Sequence, residues 1–118
     1  MWSGVGLAAT YAGTTSERSL VELRVISGSY SPQLAQGAAF AAKARQRAGN
    51  VTDYTDLATG IFCGISALDA ARLCDQTLEN LPEQADWPAF EIWRQRIQNH
   101  FASRLQPKYE EHNEKQIA

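Results

Sequence analysis

Residues 31–49 read SPQLAQGAAFAAKARQRAG, and this stretch decides the fold class. Ser31 is a natural N-cap, Pro32 suits the first helical position where its missing N–H has no intrahelical partner to lose, and Gly49 supplies the left-handed residue that ends the run. Between these marks Ala35, Gly37, Ala38, Ala39, Ala41, Ala42 and Ala44 carry almost no side-chain bulk. Neighbouring backbones can therefore approach this helix closely, and it is expected to be the scaffold around which the other segments are arranged.

Upstream, residues 2–13 read WSGVGLAATYAG, a short helix expected to be capped at Ser3 and closed at Gly13. Gly4 and Gly6 each cost about 1 kcal/mol relative to Ala in a helix interior, which points to contact with another backbone. Thr14 and Glu17 then stand at capping-box spacing ahead of Leu20, Leu23, Val25, Ile26 and Gly28. A second helix follows, with a strand as the alternative because of the β-branched pair Val25-Ile26.

Downstream, Asn50-Val51-Thr52 opens a fourth helix whose apolar residues Tyr54, Leu57, Ala58, Ile61 and Phe62 recur at helical spacing before Gly64. Ser66 and Asp69 open a fifth, carrying Ala67, Leu68, Ala70, Ala71, Leu73, Cys74 and Leu78 and closed by Pro82. Asp86 caps a sixth, in which Phe90, Trp93, Ile97, Phe101 and Leu105 form one apolar stripe and Pro107 is the stop. The expected fold is all-α, with about six helices as helix-turn-helix pairs in a bundle or short α-solenoid-like array. A single helical domain is expected over 2–105, and a polar C-terminal tail over 106–118, frayed or disordered. Gly6–Tyr11, Gly37–Phe40 and Gly60–Gly64 share a loose wording of glycine, small residues and an aromatic, at irregular spacing, a weak sign of a helical repeat.

Composition narrows the function classes. The 118 residues suffice for one domain, and a net charge of -2 from 11 basic and 13 acidic residues offers no general field for a polyanion, so nucleic acid is not an expected partner. No apolar run approaches the ~18 residues that span a bilayer, and no basic region opens the chain, so no membrane partner and a cytoplasmic location are expected. Cys63 and Cys74 stand in no CxxC or Cys/His pair and read as free buried thiols; His100 and His112 are isolated. The acid-base candidates Asp53, Asp56, Asp69, Asp75, Glu79 and Glu91 fall in no catalytic motif. No metal, no cofactor and no catalytic residue is expected, and the chain leans away from being an enzyme.

Two groups of residues remain as candidates. Lys43, Arg45 and Arg47 cluster near the end of the third helix, where cations could grip a carboxylate or phosphate, although the macrodipole also favours them there. The aromatics, among them Tyr11, Phe40 and Trp93, could line a pocket for a hydrophobic small molecule between helices, although aromatics at helical spacing are more often core. Tyr11, Phe40, Lys43, Arg45, Arg47 and Trp93 are accordingly the candidate ligand or interface residues.

The blocks WSGVGLAATYAG and LAQGAAFAAKARQRAGN, followed by SALDAARLCD and WPAFEIWRQRI, resemble the C-terminal part of a bacterial family, domain of unknown function family 1702. Its genes occur in enediyne polyketide clusters and elsewhere in bacteria, and the family brings no catalytic motif to transfer. The resemblance spans about residues 2–104 and departs at Gly13-Thr14, where the family has Gly-Gly. Family members look longer, with an N-terminal part of similar Gly-rich helical phrases. The resemblance therefore implies a helical accessory or scaffold protein that exposes an apolar face and associates as a homo-oligomer or with another protein chain. A module holding a hydrophobic polyketide intermediate is the alternative.

Overall fold

The computed structural model describes residues 1–79 and 89–117, with side chains as far as Arg104. Among these residues there is no strand, and the elements are α1 (Trp2–Ala12), α2 (Glu17–Ser27), a single 3-10 turn (Gly28–Tyr30), α3 (Ser31–Ala48), α4 (Asp53–Cys63), α5 (Ala67–Thr77) and α6 (Ala89–Ile117). The all-α expectation holds, and the strand alternative for Val25-Ile26 does not: both residues lie inside α2.

Helix ends at glycine fall where expected. Gly13, Gly28, Gly49 and Gly64 all have positive φ, a conformation only glycine adopts without strain, and each ends a helix. Helix starts are less regular. Ser66 caps α5 as read, accepting from the Asp69 N–H. Ser16 rather than Thr14 caps α2, and Thr52, the last residue of the Asn50-Val51-Thr52 entry, caps α4. Met1 precedes α1 and Tyr30 precedes α3, neither with a side-chain cap, so Ser3 and Ser31 are helical residues instead. At α3 the preceding 3-10 turn already delivers the chain in helical geometry, so no capping side chain is required. Pro82, Asp86 and Trp87 lie outside the described residues. Pro107 does not stop α6, whose helical backbone continues to Ile117; proline there forfeits one backbone hydrogen bond without ending the helix.

Helix α3 is the centre. It packs against α1, α5, α6 and α4, and Leu34 through Ala39, with Ala41 and Ala42, are all buried. Ser3 meets Gly37 and Tyr11 meets Arg45, so α1 and α3 run in the same sense. Cys74 and Asp75 likewise follow Ala39 and Lys43, so α5 runs the same way on the other side. The returning helices α2 and α4 lie against each other, giving the short solenoid-like array. The larger core side chains are Leu20, Leu34, Phe62, Ile97 and Phe101, with Ala35, Ala38, Ala39, Ala58 and Ala70 filling the close contacts.

The tightest crossing is α1 on α3. A methyl group on Gly37 would overlap the Ser3 carbonyl oxygen, and one on Gly6 would overlap the carbonyl oxygen of Leu34. The two glycines thus let each backbone rest on the other. The small residues of α3 are used up within the chain. By contrast Val25 is 73% exposed, Ile26 68% and Tyr30 56%, so the outer side of α2 and the 3-10 turn presents uncovered apolar side chains beside the exposed Arg18–Glu22 ion pair.

Candidate functional site

The six residues singled out from sequence do not converge on one site. Phe40 and Trp93 come together, ring centroids 4.7 Å apart, and Phe90 joins them at 5.8 Å from Phe40 and 6.3 Å from Trp93. The rings pack on one another at tilted and edge-on angles, as hydrophobic aromatics do when they close a seam between helices. The Trp93 indole N–H donates to the Cys74 carbonyl at 2.9 Å and the Thr77 hydroxyl at 3.0 Å, which pins α6 to the last turn of α5. Trp93 is thus a fastening between α5 and α6.

The cations disperse. Arg45 donates to the Tyr11 carbonyl at 2.5 Å and lies over the Tyr11 ring, 4.5 Å from its centre, so the pair closes the C-terminal turn of α1. Lys43 pairs with Asp75 at 2.8 Å and donates to Gln46 at 3.0 Å. Arg47 is exposed. Arg45 therefore complements a helix dipole as expected, but that of α1 and not of its own helix. The same use recurs elsewhere. Arg24 on α2 donates to the Ile61 carbonyl near the end of α4, and Arg96 on α6 donates to the Thr77 and Glu79 carbonyls at the end of α5. Sequence spacing could not show this, because each guanidinium acts on a helix remote in the chain.

Four of the six carboxylates named from sequence, Asp56, Asp69, Asp75 and Glu91, are engaged in contacts within the fold. Asp56 accepts from the Ala67 N–H at 2.8 Å, joining α4 to the start of α5. Asp69 pairs with Arg72, and Glu91 with Arg94, whose second nitrogen donates to the Ser3 hydroxyl. Among the described residues no group of three His, Cys, Asp or Glu could hold a metal ion. Cys63 and Cys74 are free and buried, and their thiols donate to the Ala35 and Ala39 carbonyls on successive turns of α3. Burial pushes both thiols up, Cys74 to about 12 with Asp75 adding and Lys43 opposing, and Cys63 further still with Cys74 adding and Arg24 opposing. At neutral pH both are thiols rather than nucleophilic thiolates. His100 is held below its ordinary value by partial burial and then by Arg104.

An open depression of about 440 Å³ runs beside Glu91, Ile92, Gln95, Arg96 and Asn99 on α6. Its described wall is mostly apolar surface, from Ile92 and the aliphatic stems of its polar neighbours, and gathers no catalytic constellation. The sequence itself carries the decisive relation: the model of the family described as "Protein of unknown function (DUF1702)" matches residues 1–101. The chain belongs to that family. No curated protein and no solved structure matches it. The DUF1702 match therefore covers α1 to α5 and the part of α6 that packs on α3, including every packing contact described above. No single helix among the described residues of this DUF1702 chain is long and apolar enough to cross a membrane.

Proposed function

We propose that this chain is a non-enzymatic helical accessory or scaffold protein of enediyne or related polyketide biosynthesis, acting in the bacterial cytoplasm by association with another protein. The observation that carries the reading is the uncovered apolar side of α2 and the 3-10 turn, where Val21, Val25, Ile26 and Tyr30 face solvent. Exposed apolar side chains gathered on one side of a helix and set among polar residues, here the Arg18–Glu22 ion pair, are characteristic of an interaction site. The use of Lys43, Arg45, Asp56, Asp69, Asp75 and Glu91 in contacts within the fold supports a non-catalytic role. The family resemblance supplies the biosynthetic setting, and also the view of the chain as corresponding to the C-terminal part of longer relatives.

The test is co-purification of the tagged chain with the individual proteins encoded beside it, comparing wild type with the double variant Val25→Glu/Ile26→Glu. Both positions are exposed, so the variant is expected to keep the wild-type helical circular dichroism and melting temperature. A defined complex formed by wild type and lost in the variant is the expected result. A complex that survives the variant, or no complex with any of those proteins, overturns the reading.

A further inference from the structure

Helix α6 lies on the layer formed by the parallel helices α1, α3 and α5. Its described hydrogen bonds go to α5 through Trp93 and Arg96, to α1 through Arg94 and to α3 through Gln98, and none of them goes to α2 or α4. Trp93 meets Phe40 and Gln98 meets Gln36, so α6 runs antiparallel to α3. Of its described side chains only Ile97 and Phe101 are fully buried. The face of α3 beneath it is unlike the other faces of that helix. Leu34, Gly37 and Ala38 meet α1, and Ala35 and Ala39 meet Cys63 and Cys74. Beneath α6 the residues at helical spacing are instead Gln33, Gln36 and Phe40.

Gln36 is buried, and its side-chain oxygen accepts from the Gln98 amide at 3.1 Å; the side-chain oxygen of Gln33 is buried with no partner among the described residues. A side-chain amide loses its water on burial, so two of them one turn apart are costly in permanent core and suit a surface that is hydrated in a second state. We propose that residues 89–104 of α6 form a strap that undocks as a unit, and that the groove it vacates receives an amphipathic helix of a partner protein with the chemistry of the strap. That chemistry is set by what α6 places there: an aromatic, an aliphatic and a second aromatic side chain at successive turns, as in Trp93, Ile97 and Phe101, with a side-chain amide at the position of Gln98. The strap is a ligand supplied by the chain itself. Being tethered, it holds the groove at high effective concentration, so a free helix enters only as the hold of the strap is weakened. The groove lies apart from the apolar side of α2, and the inference does not depend on what binds there.

Hydrogen exchange of the wild-type chain, followed by mass spectrometry, is expected to show residues 89–104 exchanging together and at least about tenfold faster than α1 and α3. Exchange of α6 at the rate of α3 would mean that it opens only with the whole fold, and would overturn the strap. The groove is tested with a fluorescent peptide carrying residues 89–104, added to the full chain and followed by anisotropy. Trp93→Ala in the chain removes the indole bonds and ring contacts of the strap, and is expected to tighten peptide binding at least about tenfold over wild type. Adding Phe40→Ala, which alters the floor of the groove, is expected to undo that gain, and a peptide with Ile97→Asp is expected not to bind. Val25→Glu/Ile26→Glu is expected to bind the peptide as wild type does. Peptide binding that is no tighter to Trp93→Ala than to wild type, or that ignores Phe40→Ala, overturns the groove. A Trp93→Ala chain without helical circular dichroism overturns the strap as well, because α6 is then indispensable core.

Discussion

Gly4 and Gly6 are two residues apart on the same helix and have opposite surroundings. Gly6 rests against the Leu34 carbonyl and is fully covered by α3, with Gly37 completing the crossing from the other side. Gly4 faces open space. The same residue type, weakening the helix by the same amount, is a packing necessity at one position and an uncovered hole at the other. Burial of one face of α1 explains Gly6; no contact within the chain requires glycine at position 4.

The largest effects should come from filling the covered side. Gly37→Ala and Gly6→Ala are each expected to cost about 2–3 kcal/mol, because the new methyl must push a backbone carbonyl rather than a flexible side chain. Gly4→Ala should instead stabilise the protein by about 0.5–1 kcal/mol through helix propensity. Urea denaturation of the three variants draws this contrast, and equal losses at Gly4 and Gly6 would erase it.

Next in size is the fastening of α6. Trp93→Phe keeps the ring contacts with Phe40 and Phe90 but leaves the Cys74 carbonyl without its indole donor, and a loss of about 1–2 kcal/mol in denaturant titration is expected. The neighbouring cations divide more finely. Arg45→Ala should cost about 1 kcal/mol by removing both the bond to the Tyr11 carbonyl and the contact with its ring, whereas Arg47→Ala should change the melting temperature within error. An effect at Arg47 equal to that at Arg45 would refute the assignment of Arg45 to the end of α1.

The smallest effect at neutral pH belongs to the thiols, and it grows only in alkali. The folded Cys74 thiol titrates near 12 against an ordinary value of 9.0, so its contribution to stability is complete below pH 9 and is lost as pH rises from there toward 12. Chemical denaturation across that range should show a steeper alkaline decline in wild type than in Cys74→Ala. Both native thiols should resist a disulfide reagent at neutral pH until the chain unfolds.

Much of this architecture was legible because local chemistry fixes it. The positive φ at Gly13, Gly28, Gly49 and Gly64 requires glycine whatever the tertiary contacts, so the helix ends could be read directly. The stripe of α6 also held, with Ile97 and Phe101 buried and Trp93 half-buried, although Phe90 is exposed at its start. Caps were harder, since Thr55 serves at the N3 position of the α4 box in place of the usual Glu. Val25 and Ile26 raised a strand as the alternative, yet they lie exposed in α2, whose inward side is set by Leu20 and Ser27. The candidate residues were least legible. Their partners lie in remote segments, as with Arg45 and Tyr11, and no spacing rule reaches across the chain.

The guanidinium contacts at helix ends carry one further consequence. Tyr11, Ile61 and Thr77 each give a terminal carbonyl to an arginine from a different helix, namely Arg45, Arg24 and Arg96. A helix end ordinarily frays on its own, but here the last turns of α1, α4 and α5 can loosen only when a contact with α3, α2 or α6 is also broken. Amide hydrogens in those turns should therefore exchange with solvent in larger cooperative openings than terminal turns normally do, making the paired helices respond to stress together.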